Sequence, residues 1–231
     1  MSELEHQDQL EASPQPLVRR ARRRLYWRAL ALSFRFFKRP ASSLANHLRA
    51  RAAWPGHDDA WASLEEYAEW LPRHVRWKPD PLNGVLDLFP DRATIAAQFR
   101  DRKRFEEDCD GLAYFSAQNL PQFVADPSQI FIVTVVLDPF TFAKDRLLYS
   151  AHVICVFRHE GFWRVISNDT LYRDRFDTFA QAVQHNPYCA AHPVLWVEVR
   201  TPQLKRLYSG PKLGGFDPEA VRPRRQAPEL A

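Results

Sequence analysis

Cysteine and glycine are scarce in this chain, and long apolar runs are missing. The three cysteines among 231 residues, Cys109, Cys155 and Cys189, are an odd number without framework spacing. That excludes a disulfide-stapled secreted domain and points to a reducing compartment. Seven glycines supply no phosphate-cradling loop, which sets nucleotide binding aside. No stretch of about 18 uninterrupted apolar residues occurs, so no transmembrane helix is expected. The start is polar and acidic and has no basic segment leading into an apolar core. No signal peptide is therefore expected, and the default location is the cytoplasm, with attachment to a membrane surface as its variant. There is neither an internal repeat nor a low-complexity segment.

What is present is a globular composition, 45% hydrophobic and 13% aromatic, on a chain long enough for one good core and a smaller appendage. The net charge of +4 is distributed unevenly. Residues 1–11 carry four acids and no Lys or Arg, residues 12–57 carry eleven Lys/Arg and no acid, and the remainder is slightly acidic. Residues 1–16, with Pro14 and Pro16, are expected to be disordered. Residues 17–57 form a basic arm. A helix is expected over 17–53, interrupted at Pro40 and resuming over Leu44–Ala53. Leu25, Trp27, Phe34, Phe36 and Phe37 are interleaved there with Arg22, Arg23, Arg24, Arg28, Arg35 and Lys38. Basic charge among bulky aromatics fits an anionic membrane surface, nucleic acid or an acidic protein. The plainer alternative is an arm that packs on its own domain with solvated arginines.

The domain proper is expected over 58–208. Residues 58–71 have Trp61, Leu64, Ala68 and Leu71 at helical spacing, with Pro72 as the stop. A proline-rich connection over 76–84 and a helix over 91–103 lead to Asp108 and the next helix, which Pro121 ends. The texture then changes. Ile130–Leu137 is a β-branched run, Ala151–Arg158 a second strand, Glu160-Gly161 a hairpin turn and Phe162–Ile166 a third strand. A helix is expected over 173–184, a last strand over Val194–Arg200 and an irregular tail over 209–231. Helices first and hairpin strands later make an α+β domain.

The chemistry centres on Cys109, the first helical residue after the N-cap Asp108. The positive end of a helix dipole favours thiolate over thiol, and the acids at 106, 107, 108 and 110 oppose that effect. A nucleophilic thiol needs an imidazole base, and the imidazole needs a group to orient it. His152 opens the second strand, and the hairpin brings it back toward Ser167, Asn168 and Asp169. The plainer alternatives are a small buried cysteine, a structural histidine and ordinary turn chemistry at Asn168-Asp169. Two metal-like spacings, His152-x2-Cys155-x3-His159 and His185-x3-Cys189-x2-His192, compete weakly. Positions 152 and 155 of a strand face opposite ways, and Pro187 and Pro193 interrupt the second set. No metal and no cofactor are expected.

Taken together, Asp108-Cys109-Asp110-Gly111-Leu112-Ala113, His152-Val153-Ile154-Cys155-Val156 and Trp163-Arg164-Val165-Ile166-Ser167-Asn168-Asp169 resemble the transglutaminase-like superfamily. The likeness is to its bacterial transglutaminase-like cysteine proteinase branch, of papain-like fold, over about 58–200. The resemblance implies N-terminal helices packed on an antiparallel sheet, Cys109 as nucleophile, His152 as general base and acid, and Asn168 or Asp169 as its orienter. The Cys109 backbone N–H is the candidate oxyanion donor. Two positions depart from the family pattern: Glu107 stands where the family usually has Gly, and the family's Asp-Asn pair falls on Ser167-Asn168. The implied activity is acyl transfer on a peptide or protein amide through a thioester. The competing reading is an inactive module of the same fold whose arm does the binding.

Overall fold

In the computed structural model the described residues are 61–78, 104–137, 151–211, 213 and 215–221, with Leu25, Ala29 and Gln98 singly. The expected disordered start, most of the basic arm, residues 79–84 of the proline-rich connection and most of the helix over 91–103 lie outside them. The chain divides into two units, Met1–Leu48 and Arg49–Ala231, and the architecture below belongs to the second.

Helix α1 spans Leu64–His74. It starts at Leu64 because Ser63 is extended and its hydroxyl accepts from the Glu66 N–H at 3.2 Å, satisfying a donor that has no intrahelical partner. Residues 61–63 are thus outside the helix. At the other end Pro72 lies inside the last turn, and the helix runs on to His74, two residues past the expected proline stop. Leu64, Tyr67 and Leu71 form its buried stripe. Strand β1, Val75–Trp77, follows directly and pairs in parallel with β2, Phe105–Glu107.

Helix α2 spans Cys109–Asn119, and a 3-10 turn over Leu120–Gln122 containing Pro121 ends it. Its Leu112, Phe115 and Ala117 are fully buried. The Phe115 ring lies 5.1 Å from Phe105 and 6.2 Å from Trp70, so α1, α2 and β2 meet in one aromatic cluster.

The main sheet is wholly antiparallel and six-stranded, in the order β6-β5-β4-β3-β7-β8. Its strands are β3 Ile130–Leu137, β4 Ala151–His159, β5 Phe162–Ser167, β6 Thr170–Leu171, β7 Val194–Arg200 and β8 Arg206–Gly210. The β4–β5 hairpin turns on Glu160 and Gly161, both at positive φ (50° and 85°), the backbone a two-residue turn needs. Glycine takes that conformation without strain.

Helix α3 covers only Phe179–Gln184, shorter than the expected 173–184. Phe176 is held extended by two backbone hydrogen bonds to Trp163 (2.8 and 3.0 Å), and a capping box of Thr178 and Gln181 opens the helix after it. Part of the expected irregular tail is ordered too. Residues 206–210 form edge strand β8 and Pro218–Val221 a 3-10 turn, while 222–231 lie outside the described residues.

The sheet is covered on both faces. Val153, Cys155, Phe157, Ile130, Ile132 and Ile166 pack with α1 and α2. The alternate residues Ile154, Val156, Phe131, Val133 and Val165 pack with α3 and with Cys189 and Leu213. This burial on both sides is why β3 reads as a continuous apolar run. Among the described residues no helix is long and apolar enough to cross a membrane.

Candidate active site

The site lies at the end of the sheet where β4 begins and β5 ends. Asp108 is extended (φ −78°, ψ −173°), and its Oδ1 accepts from the backbone N–H groups of Asp110 (3.2 Å) and Gly111 (3.3 Å). Asp110 Oδ1 accepts from Gly111 N–H as well, at 2.7 Å. Two carboxylates are thus engaged by the first turn of α2, and Cys109, its first residue, is half-buried. The other two thiols are sealed. Cys155 is fully buried and burial pushes its thiol far up; Cys189 is 1% exposed and its thiol is pushed up to about 11 by burial, against the pull of its Asn186 hydrogen bond. Cys109 is the accessible thiol of the three.

His152, the second residue of β4, is 4% exposed. Its Nε2 lies 2.8 Å from Ser167 Oγ, and its ring lies against Tyr188 with centroids 4.0 Å apart and the planes tilted by 31°. Imidazole and hydroxyl are therefore directly paired. Burial raises the Tyr172 phenol, and the Ser167 hydroxyl acts on it in the opposite direction. Asn186 sets the Tyr188 loop: its Nδ2 donates to Ala182 and Val183 carbonyls, and its Oδ1 accepts from Tyr188 and Cys189 N–H. All four bonds are local, and they fix the turn that places the phenol ring over His152.

Burial pushes the His152 imidazole down to about 4, against the opposing pull of the Asp108 carboxylate, which favours the charged ring. His152 is consequently neutral at physiological pH. The Asp108 effect also ties the two halves of the site together, because the residue that caps the Cys109 helix is the one whose charge bears on the imidazole.

Strand parity separates them otherwise. His152 shares a face with Ile154 and Val156, toward α3, whereas α2 covers the Cys155 face. Alternation along β4 therefore turns Cys155, and not His152, toward α2. The first metal-like set is split by the same parity, and no three His, Cys, Asp or Glu side chains group to hold a metal among the described residues.

Asn168 and Asp169 are the two turn residues between β5 and β6, where Ser167 pairs with Thr170. Asn168 is at φ 53°, and Asp169 Oδ1 accepts from Thr170 Oγ1 at 3.1 Å. The group on the His152 ring is Ser167, one residue earlier. Ser167 is one of the three residues that the hairpin was expected to bring toward His152, and Tyr188 is the member that sequence reasoning did not place. Hairpin counting was the available signal: Cys155 pairs with Ile166, so Ile154 falls opposite Ser167, and His152 is its diagonal neighbour on the same face.

Fold and site together define an α+β protein with an accessible thiol at a helix start and a neutral, buried imidazole at the end of an antiparallel sheet. Comparison of the chain with protein-family models and with curated proteins finds no match.

Proposed function

We propose that this chain is a cysteine-dependent acyl-transfer enzyme of transglutaminase-like, papain-like arrangement, acting on a peptide or protein amide. The observation that supports it is Asp108, which caps the helix beginning at Cys109 and whose charge bears on His152. In this reading the His152 Nε2–H donates to Ser167 Oγ, leaving the Nδ1 lone pair as the base. The Cys109 proton passes to Nδ1 as sulfur attacks the acyl carbon. The imidazolium then returns the proton to the departing amine as the C–N bond breaks, leaving a thioester. Water or a second amine attacks the thioester carbon, losing its proton through the same imidazole and restoring the thiol. Ser167 takes the orienting place that the resemblance gave to Asn168 or Asp169. A hydroxyl there carries no charge to offset an imidazolium, so the ring stays a weak base.

That weak basicity, with His152 buried beneath Tyr188, favours the second reading, an inactive module of the same fold. Its binding would rest on the basic arm, against an anionic membrane surface, nucleic acid or an acidic protein, in the cytoplasm or at a membrane.

Iodoacetamide separates the two. On the first reading Cys109 alkylates far faster than Cys155 and Cys189, and His152→Ala slows Cys109 at least about tenfold at pH 7. If the His152→Ala rate equals that of the parent while the fold is retained by circular dichroism, the acyl-transfer reading fails and the module remains.

A further inference from the structure

The connection between α3 and β7 bears Tyr188, which has no part in the acyl-transfer steps. It is half-buried, and its ring lies against the His152 imidazole with centroids 4.0 Å apart. We propose that Tyr188 is a positioning residue for His152, holding the plane of the imidazole so that its Nδ1 lone pair keeps one direction. The proposal rests on the acyl-transfer reading, in which Nδ1 is the base.

The Ser167 hydrogen bond orients the imidazole only in part. A 2.8 Å contact at Nε2 excludes a flip of the ring, which would put carbon where nitrogen stands. It does not exclude a twist. Histidine χ2 is a broad, soft torsion, and Nε2 lies close to the twist axis. A modest rotation therefore strains the Ser167 contact little while it swings the Nδ1 lone pair out of line. A general base must reach the proton it abstracts, so that direction matters. An aromatic ring set against the imidazole face blocks the twist.

The turn that carries Tyr188 is pinned on both sides of it. Asn186 is fully buried and ties the turn to the last residues of α3 through its amide. Its side-chain oxygen accepts from the Tyr188 and Cys189 N–H groups, and its carbonyl from those of Cys189 and Ala190 at 2.9 Å each. Cys189, the next residue, is sealed in the core on the α3 face. The titratable groups around the imidazole are Asp108 at the α2 start, Tyr172 after β6, and Tyr188 and Cys189 in the turn, with His185 and His192 in the same connection. Burial raises the Tyr172 phenol and the Cys189 thiol, which stay neutral, so the carboxylate that acts on the ring is Asp108. Tyr188 acts by contact and by keeping water off the imidazole.

The test follows iodoacetamide alkylation of Cys109 at pH 7 in the full chain, beside the His152 ring-proton titration. Two effects oppose each other in Tyr188→Ala. Water reaches the uncovered imidazole, so its titration should rise from about 4 toward 6.5 and the base should strengthen. The unsupported ring twists, so alkylation should nonetheless slow by about three- to tenfold. Tyr188→Phe keeps the ring face and should restore the titration and bring the rate within about twofold of the parent. In the His152→Ala background Tyr188→Ala should have no further effect, a result that a general structural role would not give. Should Tyr188→Ala fail to fold by circular dichroism, Tyr188→Leu, which keeps apolar bulk without a flat face, takes its place. Unchanged or faster alkylation in the Tyr188 variant, or a further loss in the double variant, overturns the proposal while His152→Ala still slows the thiol and acyl transfer stands. Equal rates for the parent and His152→Ala overturn the acyl-transfer reading, and this role of Tyr188 with it.

Discussion

The two faces of the main sheet share strands and differ in what they bury. The α1/α2 face is an aromatic core whose polar atoms are held in a protonation state that does not change near neutrality. Tyr67 is fully buried, its hydroxyl lies 3.4 Å from Ser116 Oγ, and burial drives its phenol up, as it drives up the Cys155 thiol. The α3 face carries His152, joined to Ser167 and covered by Tyr188. One face therefore buries a phenol and a thiol that stay neutral, and the other holds the imidazole whose burial opposes its charging. Alternation along β4 accounts for the division: Cys155 points one way, His152 the other.

The largest expected effect breaks the first face. Phe115 is fully buried between Phe105 and Trp70. Phe115→Ala should cost about 3–5 kcal/mol, because the lost transfer energy is joined by a cavity the surrounding rings cannot close. Urea denaturation at pH 7 and at pH 5 measures it. The loss should be the same at both values, and a loss confined to pH 5 would show that the two faces are not separable.

The acid limb of stability belongs to the second face. His152 has an ordinary value of 6.5 in the unfolded chain and about 4 in the fold. Above pH 6.5 the ring is neutral in both states and contributes nothing to pH dependence. Between 6.5 and 4 the unfolded chain takes up a proton that the fold refuses, so stability falls with pH, by roughly 3 kcal/mol in all, and levels off below 4. His152→Gln removes that component. Denaturation midpoints across pH 4–7 should show a flatter curve for the variant than for the parent, and parallel curves would remove His152 as the source.

Much of this division was legible in the sequence, and the failures have physical causes. The β3 run has its expected bounds because both of its faces are buried, so every position but the partly exposed Thr134 is apolar. The Glu160-Gly161 turn was equally plain, since two turn residues between apolar runs leave few backbone solutions. The α2 start followed from Asp108 acting as its cap. The β8 edge strand escaped notice because Arg206-Leu207-Tyr208-Ser209-Gly210 is mostly half-exposed and has no strong alternation. Phe176 looked helical by spacing, but its backbone is taken by Trp163, a tertiary choice that no local pattern records. At the site, Asn168 and Asp169 drew attention as groups that would orient His152. The positive φ of Asn168 shows it serving the turn, and the hydroxyl on the imidazole belongs to the strand residue before it.

The smallest expected effect is the most informative, because it tests the joint between the faces. Asp108→Asn keeps a good N-cap, since the amide oxygen can still accept from the Asp110 and Gly111 N–H groups; stability should change by no more than about 1 kcal/mol. What the substitution removes is the negative charge that favours the protonated imidazole. The His152 titration, followed by the ring-proton resonances, should therefore move lower than in the parent. If it stays where it was, the α2 start is electrostatically separate from His152, and the arrangement that places thiol and imidazole on either side of one carboxylate loses its support. If it moves down while the helix stays intact, Asp108 serves two elements with one side chain, capping α2 through its oxygens and acting on His152 through its charge.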